Sequence, residues 1–294
     1  MKGSVKKIFK HLLFKFLLNF FFFLGKVLKK RHINTASAII GKILYIVPNR
    51  RNKIALSNLK IAFAEQIRDR ERNLLKKFLK SIALAALEIS YITQKKDKVS
   101  DWIEIVGIEH LHSALGKGRG VIALSGHIGN VPIMLAGLAE KGYPVAVLYK
   151  EGKYLPKGFL FNLIKSYQID PIPFISDRDV PREIIKLLNG GKIVFILSDQ
   201  ARRGTYARFF NKLVRCQLGA FVIARRKSSP LLPVFTVREG GRHKILIYPE
   251  LEAENIENPI LLVEKYNTLL ENLIREYPEQ YYWFHRRFKK MKDY

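Results

Sequence analysis

The stretch Leu124–Pro132, which reads Leu-Ser-Gly-His-Ile-Gly-Asn-Val-Pro, decides the fold of this chain. The apolar run Gly120–Leu124 leads into it and predicts a buried strand, which the following Ser-Gly pair ends. Asn130 and Pro132 suit the start of a helix, because Asn caps well and proline loses no hydrogen bond there. His127 is therefore predicted to lie on a strand-to-helix turn beside free backbone N–H groups, a place that catalytic groups and bound anions favour.

From residue 101 onward, short apolar runs alternate with helical patterns. The predicted strands are Ile103–Val106, Val121–Leu124, Val145–Tyr149, Pro171–Phe174, Ile193–Leu197, Leu232–Val237 and Ile245–Tyr248. One predicted helix begins at Val131, and the others span Gly158–Tyr167, Val180–Leu188, Gly219–Arg226 and Pro259–Tyr277. Such alternation predicts an α/β fold with a mixed, largely parallel sheet flanked by helices. Residues 35 to 95 read as helices that precede this sheet.

Polar clusters follow three of the predicted strands: Ser125–His127, Tyr149–Glu151 and Ser198–Gln200. Sites in parallel sheets lie beyond the carboxyl ends of the strands, so these clusters should converge. The alternative is that His127 is a loop histidine without a role. Convergence of the three clusters favours a functional His127.

The charge balance is strongly basic, since 52 Lys and Arg against 25 Asp and Glu give a net charge of +27. This excess predicts an anionic partner, which could be nucleic acid, an acidic protein or an anionic membrane surface. The single Cys216 excludes an internal disulfide and a cysteine-based metal cluster. No Gly-rich phosphate loop is present, and we predict neither a metal nor a cofactor.

Residues 1–31 differ from the rest, with lysines on both sides of an aromatic-rich apolar run. A spanning helix needs about 20 apolar residues, whereas this run is shorter and is interrupted by Lys15 and Asn19. The pattern predicts a membrane-anchoring helix over 1–31 and a domain over 32–294. The alternative is an amphipathic helix buried in the domain.

Two further stretches combine cations with aromatic residues. The segment Arg202–Asn211 reads as a basic, mobile loop at the same edge of the sheet, or as a solvated run of charge. The tail Tyr281–Lys289 could form a membrane-facing belt, a surface that stacks on nucleic-acid bases, or a segment that packs its aromatic rings on the core.

Together these stretches resemble the bacterial lipid A late acyltransferases, the lauroyl and myristoyl transferases of lipopolysaccharide biosynthesis. The resemblance runs from about Arg51 to Lys289. Its motifs are Arg51–Leu59, Ser125–Asn130, Ser198–Gln200 with Phe209–Phe210, and Pro278–Gln280 through His285–Lys289. Four weak motifs in the correct order make the resemblance specific.

The resemblance implies a glycerolipid-acyltransferase-like O-acyltransferase on the cytoplasmic face of the cell inner membrane. It would transfer a fatty acyl chain from acyl carrier protein to a hydroxyl of a lipid A precursor or related glycolipid, without a cofactor and without nucleic acid. His127 corresponds to the catalytic histidine of the family, a general base that takes the hydroxyl proton. The implied substrate-binding residues are Asn130, Lys150, Asp199, Gln200, Arg202 and Arg203, with the two arginines on a rim for the acidic carrier protein.

Two positions depart from the family pattern. The acidic residue expected five positions after the histidine is replaced by Pro132, and Lys150 stands where Arg is expected. Proline cannot orient an imidazole or stabilise its charged form. Three interpretations remain: Asp199 or Glu151 serves His127 instead, the enzyme works slowly without an acid, or transfer has been lost and lipid binding kept.

Two other functions compete with transfer. A catalytically weakened or inactive lipid-binding homologue would share the fold and show no turnover. A basic nucleic-acid-binding protein would explain the charge, but no recognised nucleic-acid-binding motif is present.

Overall fold

A computed structural model describes residues 2–63, 70–152, 155–174, 176, 179–201, 204–252, 258–289 and 291, with side chains described from residue 11 onward. Four helices come first: α1 (Lys2–Val27), α2 (Ile33–Ile46), α3 (Arg50–Phe63) and α4 (Glu71–Lys95). The elements that follow are β1 (Ile103–Val106), α5 (Ile108–Gly116), β2 (Val121–Ser125), α6 (Val131–Glu140), β3 (Val145–Tyr149), α7 (Phe159–Ser166), β4 (Asp170–Pro173), α8 (Asp179–Asn189), β5 (Ile193–Leu197), β6 (Thr205–Phe209), β7 (Lys212–Cys216), α9 (Gly219–Lys227), β8 (Leu231–Glu239), β9 (Arg242–Ile247) and α10 (Pro259–Glu276).

In the described part of the chain, seven strands form one sheet in the order β1-β9-β8-β2-β5-β3-β4. The pairing of β8 with β9 is antiparallel, and the other pairings are parallel. The predicted mixed, largely parallel sheet flanked by helices is therefore confirmed. Each predicted strand is present, but some bounds differ: β4 begins and ends one residue earlier than expected, β8 is longer at both ends, and β9 begins three residues earlier and ends one residue earlier.

The two central strands bury both of their faces. In β5, Ile193 and Phe195 face one hydrophobic cluster, whereas Val194 and Ile196 face the other. Successive side chains of a strand point to opposite faces, so a strand between two helical layers must be apolar at every position. This is why β2 and β5 read as continuous apolar runs.

A β-hairpin replaces part of the loop that we predicted after β5. Strands β6 and β7 pair in antiparallel fashion from Thr205 to Cys216, and the turn residues Phe210 and Asn211 have φ values of 50° and 56°. The interpretation as a mobile loop is wrong for this part, because Ala207 and Phe209 alternate with polar residues and are buried. Arg202 and Arg203 lie outside the described residues.

Helix α1 packs along α4. A Cβ on Gly25 would lie 2.5 Å from the carbonyl carbon of Ser90, so glycine is required where the two helices touch. The Lys95 ammonium also donates to the Lys26 carbonyl at 2.6 Å. Among the helices described, none is both long and apolar enough to cross a bilayer.

Candidate active site

The turn after β2 carries His127 and is held by the C-terminal segment. The Tyr282 N–H donates to the His127 carbonyl at 2.8 Å, and the Gly129 N–H donates to the Gln280 carbonyl at 3.0 Å. Gly129 has a φ of +64°, and a Cβ there would lie 2.1 Å from the Thr236 carbonyl oxygen. Only glycine fits at position 129, and the bonded Gly129 N–H is not one of the free backbone N–H groups that we predicted beside His127.

Asp199 lies beside His127 because their strands are neighbours in the sheet. Strands β2 and β5 pair with Ser125 opposite Leu197, and the Ser198 N–H donates to the Ser125 carbonyl at 2.8 Å. The His127 Nδ1 atom lies 2.7 Å from Asp199 Oδ1. A carboxylate can only accept, so Nδ1 carries the proton and donates it, which leaves Nε2 as the basic nitrogen.

Burial distinguishes the two members of this pair. The side chain of Asp199 is 0% exposed, whereas that of His127 is 33% exposed. Burial alone would raise the pKa of Asp199, but the charges of His127 and Arg287 and the hydrogen bond from His127 hold it below its usual range. Asp199 is therefore an ionised partner at neutral pH.

Aromatic side chains of the C-terminal segment surround the pair. The Tyr281 hydroxyl donates to Asp199 Oδ2 at 3.1 Å. The imidazole of His285 lies with its ring centroid 4.7 Å from that of His127. Burial and the nearby His127 lower the pKa of His285 to about 3, so His285 is neutral near pH 7. These residues were missed in the sequence because only the family signature at 278–289 hints at a role for them.

A cavity of about 1580 Å³ opens in front of His127. One part of its wall is apolar, and helices α4, α6 and α7 contribute to it together with β3. The apolar lining residues include Ile82, Ile89, Ile92, Val131, Ile133, Leu135, Val147, Leu160, Leu163, Ile164 and Ile169. Such a wall suits an alkyl chain better than a polar substrate.

The polar part of the same wall is cationic. Its charged residues are Arg50, Arg51, Lys150, Arg215, Arg286, Arg287 and Lys289, and no Asp or Glu is found among the described lining residues. A cavity lined by charges of one sign attracts ligands of the opposite sign. Among the described residues, no group of three or more His, Cys, Asp or Glu side chains could hold a metal ion.

The structure brings some of the predicted site residues together and separates others. Gln200 and Lys150 line the cavity with His127, and the Gln200 amide nitrogen lies 3.0 Å from His127 Nδ1 and 3.3 Å from His127 Nε2. Asp199 does not line the cavity and lies behind His127 instead. Arg202 and Arg203 lie outside the described residues, so their placement on a rim stays a prediction.

Asn130 and Glu151 have other partners. The Asn130 amide donates to the Ala85 carbonyl and to the Glu88 carboxylate, both at 3.1 Å, and its side chain is buried outside the cavity lining. It occupies the N-cap position of α6 but its side chain makes no capping hydrogen bond. Glu151 accepts the Leu160 N–H at 3.1 Å near the start of α7. Of the two acids considered for His127, the geometry therefore favours Asp199.

Comparison with known proteins gives a consistent set of similarities. A family model described as Bacterial lipid A biosynthesis acyltransferase matches residues 4–290. The chain is 23% identical over 261 residues to a lipid A biosynthesis lauroyltransferase of Escherichia coli, covering 85% of this chain and 83% of that protein. It is 26% identical over 260 residues to a lipid A biosynthesis palmitoleoyltransferase of the same organism, covering 85% and 82%. A phosphatidylinositol mannoside acyltransferase of Mycolicibacterium smegmatis is 23% identical over 164 residues, covering 54% and 53%.

Proposed function

Because the chain belongs to the bacterial lipid A biosynthesis acyltransferase family, we propose that it transfers a fatty acyl chain from acyl carrier protein to a hydroxyl of a lipid A precursor or related glycolipid. The observation that carries this proposal is that His127, paired with the buried Asp199, faces a cavity with one apolar wall and one cationic wall. The mycobacterial relative acts on a phosphatidylinositol mannoside, which supports a glycolipid as the wider acceptor class.

The proposed reaction uses His127 as a general base. Its Nε2 takes the proton of the acceptor hydroxyl while the oxygen attacks the thioester carbonyl carbon. The new carbon–oxygen bond forms, the carbon–sulfur bond breaks, and the imidazolium returns the proton to the departing thiolate. Asp199 holds the imidazole in the required tautomer and stabilises its charged form, the role that the motif acid has in the family pattern and that Pro132 cannot fill.

The cationic wall supplies charge stabilisation in this mechanism. An oxyanion develops on the carbonyl oxygen as the tetrahedral intermediate forms, and a positive group nearby lowers its energy. Lys150 lines the cavity beyond the end of β3, with its ammonium 5.4 Å from the centroid of the Phe174 ring. Lys150 acts as a point charge and lacks the two-pronged donor geometry of the Arg that the family pattern leads us to expect.

The acyl chain would lie along the apolar wall of the cavity, between α4, α6 and α7. This wall begins beside Gly129 and Val131, so the thioester would lie at the His127 end with the alkyl chain away from solvent. Burial of apolar surface stabilises such an arrangement by about 0.8 kcal/mol per CH₂.

Association with the cytoplasmic face of the inner membrane is part of the proposal. Exposed apolar side chains are concentrated on α1 and α2, and include Leu12, Leu13, Phe14, Phe16, Leu17, Phe20 and Phe23 on α1 and Ile39, Ile43 and Ile46 on α2. Exposed cations at 26 and 29–31 follow the apolar part of α1. An apolar face bordered by cations is typical of a helix that lies in the interface of an anionic membrane. We therefore keep residues 1–31 as an anchor and 32–294 as the transferase domain.

An acylation assay tests the proposal. The full chain is incubated with acyl-carrier-protein thioesters and a panel of glycolipid acceptors in vesicles, beside a His127→Ala variant and a His112→Ala control. His112 is not among the residues that line the cavity, and its ring nitrogen lies 2.9 Å from the Tyr143 hydroxyl. We expect the wild type to form the ester, and the rate of ester formation to fall about 10²–10⁴-fold in His127→Ala. His112→Ala should keep the wild-type rate. Equal turnover by the folded His127→Ala variant and the wild type would remove His127 from the mechanism. Donor and acceptor binding without ester formation would instead indicate a non-catalytic lipid binder.

A further inference from the structure

The segment Gln280–Tyr282 reaches the candidate active site through its backbone. Ile128 and Tyr281 form an isolated antiparallel bridge, and hydrogen bonds on either side of it join the segment to His127 and Gly129. A distant part of the chain thus sets the conformation of the turn that carries the histidine.

This pairing also fixes where the Tyr281 side chain lies. Its ring packs edge-on against Trp283 with centroids 4.9 Å apart, and a second contact to Phe209 spans 6.5 Å. The side chain is buried, and its hydroxyl donates to Asp199 Oδ2. The two oxygens of one carboxylate therefore have different donors, since Oδ1 accepts from His127 and Oδ2 from Tyr281.

We propose that Tyr281 is a positioning residue, which acts on His127 only through Asp199 by fixing the carboxylate and sharing its negative charge. The inference rests on the proposed function, because it assumes that His127 must be neutral to take the acceptor proton. A carboxylate that loses one of two donors concentrates more charge on the remaining partner. Without the Tyr281 hydroxyl, the charged imidazolium would form more readily, and less neutral base would be available at a given pH.

Other polar groups near the pair do not change charge in the relevant range. Arg51 and Arg287 stay protonated at every pH of interest. Burial lowers the pKa of His285 to about 3 and raises the pKa of Tyr266 well above its usual value. Gln200 does not titrate. A change in pH dependence caused by altering Tyr281 is therefore attributable to the Asp199–His127 pair.

The test compares Tyr281→Phe with Tyr266→Phe. Both tyrosines are fully buried, and each substitution removes one hydrogen bond donated by the hydroxyl. The Tyr266 hydroxyl donates to the Ser125 carbonyl, whereas the Tyr281 hydroxyl donates to Asp199. We expect the acid limb of the kcat–pH profile of Tyr281→Phe to move up by about 0.5–1 pH unit. Its kcat should fall about 3–10-fold on the acid side, recover at alkaline pH, and leave KM for both substrates unchanged. Tyr266→Phe should keep the wild-type profile.

Asp199→Asn separates the failure of this inference from that of the proposed function. If Asp199→Asn leaves turnover unchanged, the His127–Asp199 mechanism itself is wrong. If Asp199→Asn is slow but Tyr281→Phe has the profile of Tyr266→Phe, only the inference about Tyr281 fails. If the His127–Asp199 mechanism and the role of Tyr281 are both correct, adding Tyr281→Phe to Asp199→Asn should have no further effect on kcat, because the carboxylate through which Tyr281 acts is gone.

Nuclear magnetic resonance provides a measurement that needs no turnover. The imidazole resonances of His127 are identified as those missing from the spectrum of His127→Gln. Their titration midpoint should lie at a higher pH in Tyr281→Phe than in Tyr266→Phe. Equal midpoints in the two variants would overturn the inference. If Tyr281→Phe does not fold, fluorotyrosine at position 281 keeps the ring and makes the hydroxyl a stronger donor. The titration should then move to lower pH, and an unchanged midpoint would refute the role of the hydroxyl.

Discussion

Asp199→Asn is the change that most directly probes the proposed chemistry. The carboxylate is fully buried and lies 2.7 Å from His127 Nδ1. At about 4 Å between charge centres and an effective dielectric constant near 20, such a pair is worth about 4 kcal/mol. His127 is one-third exposed, so solvent reduces this stabilisation of the imidazolium. Each 1.36 kcal/mol corresponds to a tenfold change in rate, so we expect kcat to fall about 10²–10³-fold, measured with saturating donor and acceptor.

Pro132→Glu provides the matching rescue. Pro132 lies in the first turn of α6 and lines the cavity together with His127. A carboxylate there restores the motif acid and lies favourably at the positive end of the helix dipole. Added to Asp199→Asn, it should recover part of the lost kcat, whereas alone it should change kcat little because Asp199 already serves His127.

Glu151→Gln is the control for this experiment, since it removes a nearby carboxylate whose hydrogen bond goes to the Leu160 N–H instead of His127. It should leave kcat within about twofold of the wild type. The reasoning would be refuted if folded Asp199→Asn retained near-wild-type kcat, or if Glu151→Gln caused the larger loss. A fall with Asp199→Asn without any rescue by Pro132→Glu would confine the acid to position 199.

Three further predictions concern binding and stability. For the carrier-bound donor, kcat/KM should fall with added salt more steeply than for a short neutral thioester, because salt screens the positive charges that steer an acidic carrier protein. Equal salt dependence of kcat/KM for the two donors would count against docking by charge. Replacing Phe16 and Phe20 by Ser should weaken vesicle binding about tenfold or more, since burying each exposed ring in the interface contributes about 1.5–3 kcal/mol. The control Leu261→Ser changes an exposed position on α10 and should leave vesicle binding unchanged. Glu88→Gln should lower the free energy of unfolding by about 3–5 kcal/mol in a denaturation experiment, because it removes the buried carboxylate that pairs with the partly buried Arg238 and the buried His243. Burial opposes ionisation of Glu88, but the hydrogen bond from His243 and the charge and hydrogen bond of Arg238 lower the pKa of Glu88 to about 2. The stabilisation by Glu88 is therefore present above the unfolded-state pKa and should be lost as pH falls toward 2.

The sequence alone was sufficient to predict the sheet and the place of His127. The first four residues of β2 and all of β5 are apolar because both faces of these strands are covered, and that pattern is visible without a structure. The break after β2 and the helix start at Asn130 put His127 on a strand-to-helix turn, where the structure has it. These features depend on residues close together along the chain, which is why local patterns reveal them.

The tertiary structure decided which polar groups meet at the site. Asp199 and Glu151 were equal candidates in the sequence, and only the pairing of β2 with β5 brings Asp199 to His127. Asn130 looked like a cap and a substrate ligand, but the packing of α4 gives it Glu88 as a partner. The Tyr281 hydroxyl reaches Asp199 because the C-terminal segment pairs with the turn after β2. Such contacts join residues far apart in the chain, and their geometry is set by strand order and helix packing, which no local periodicity encodes.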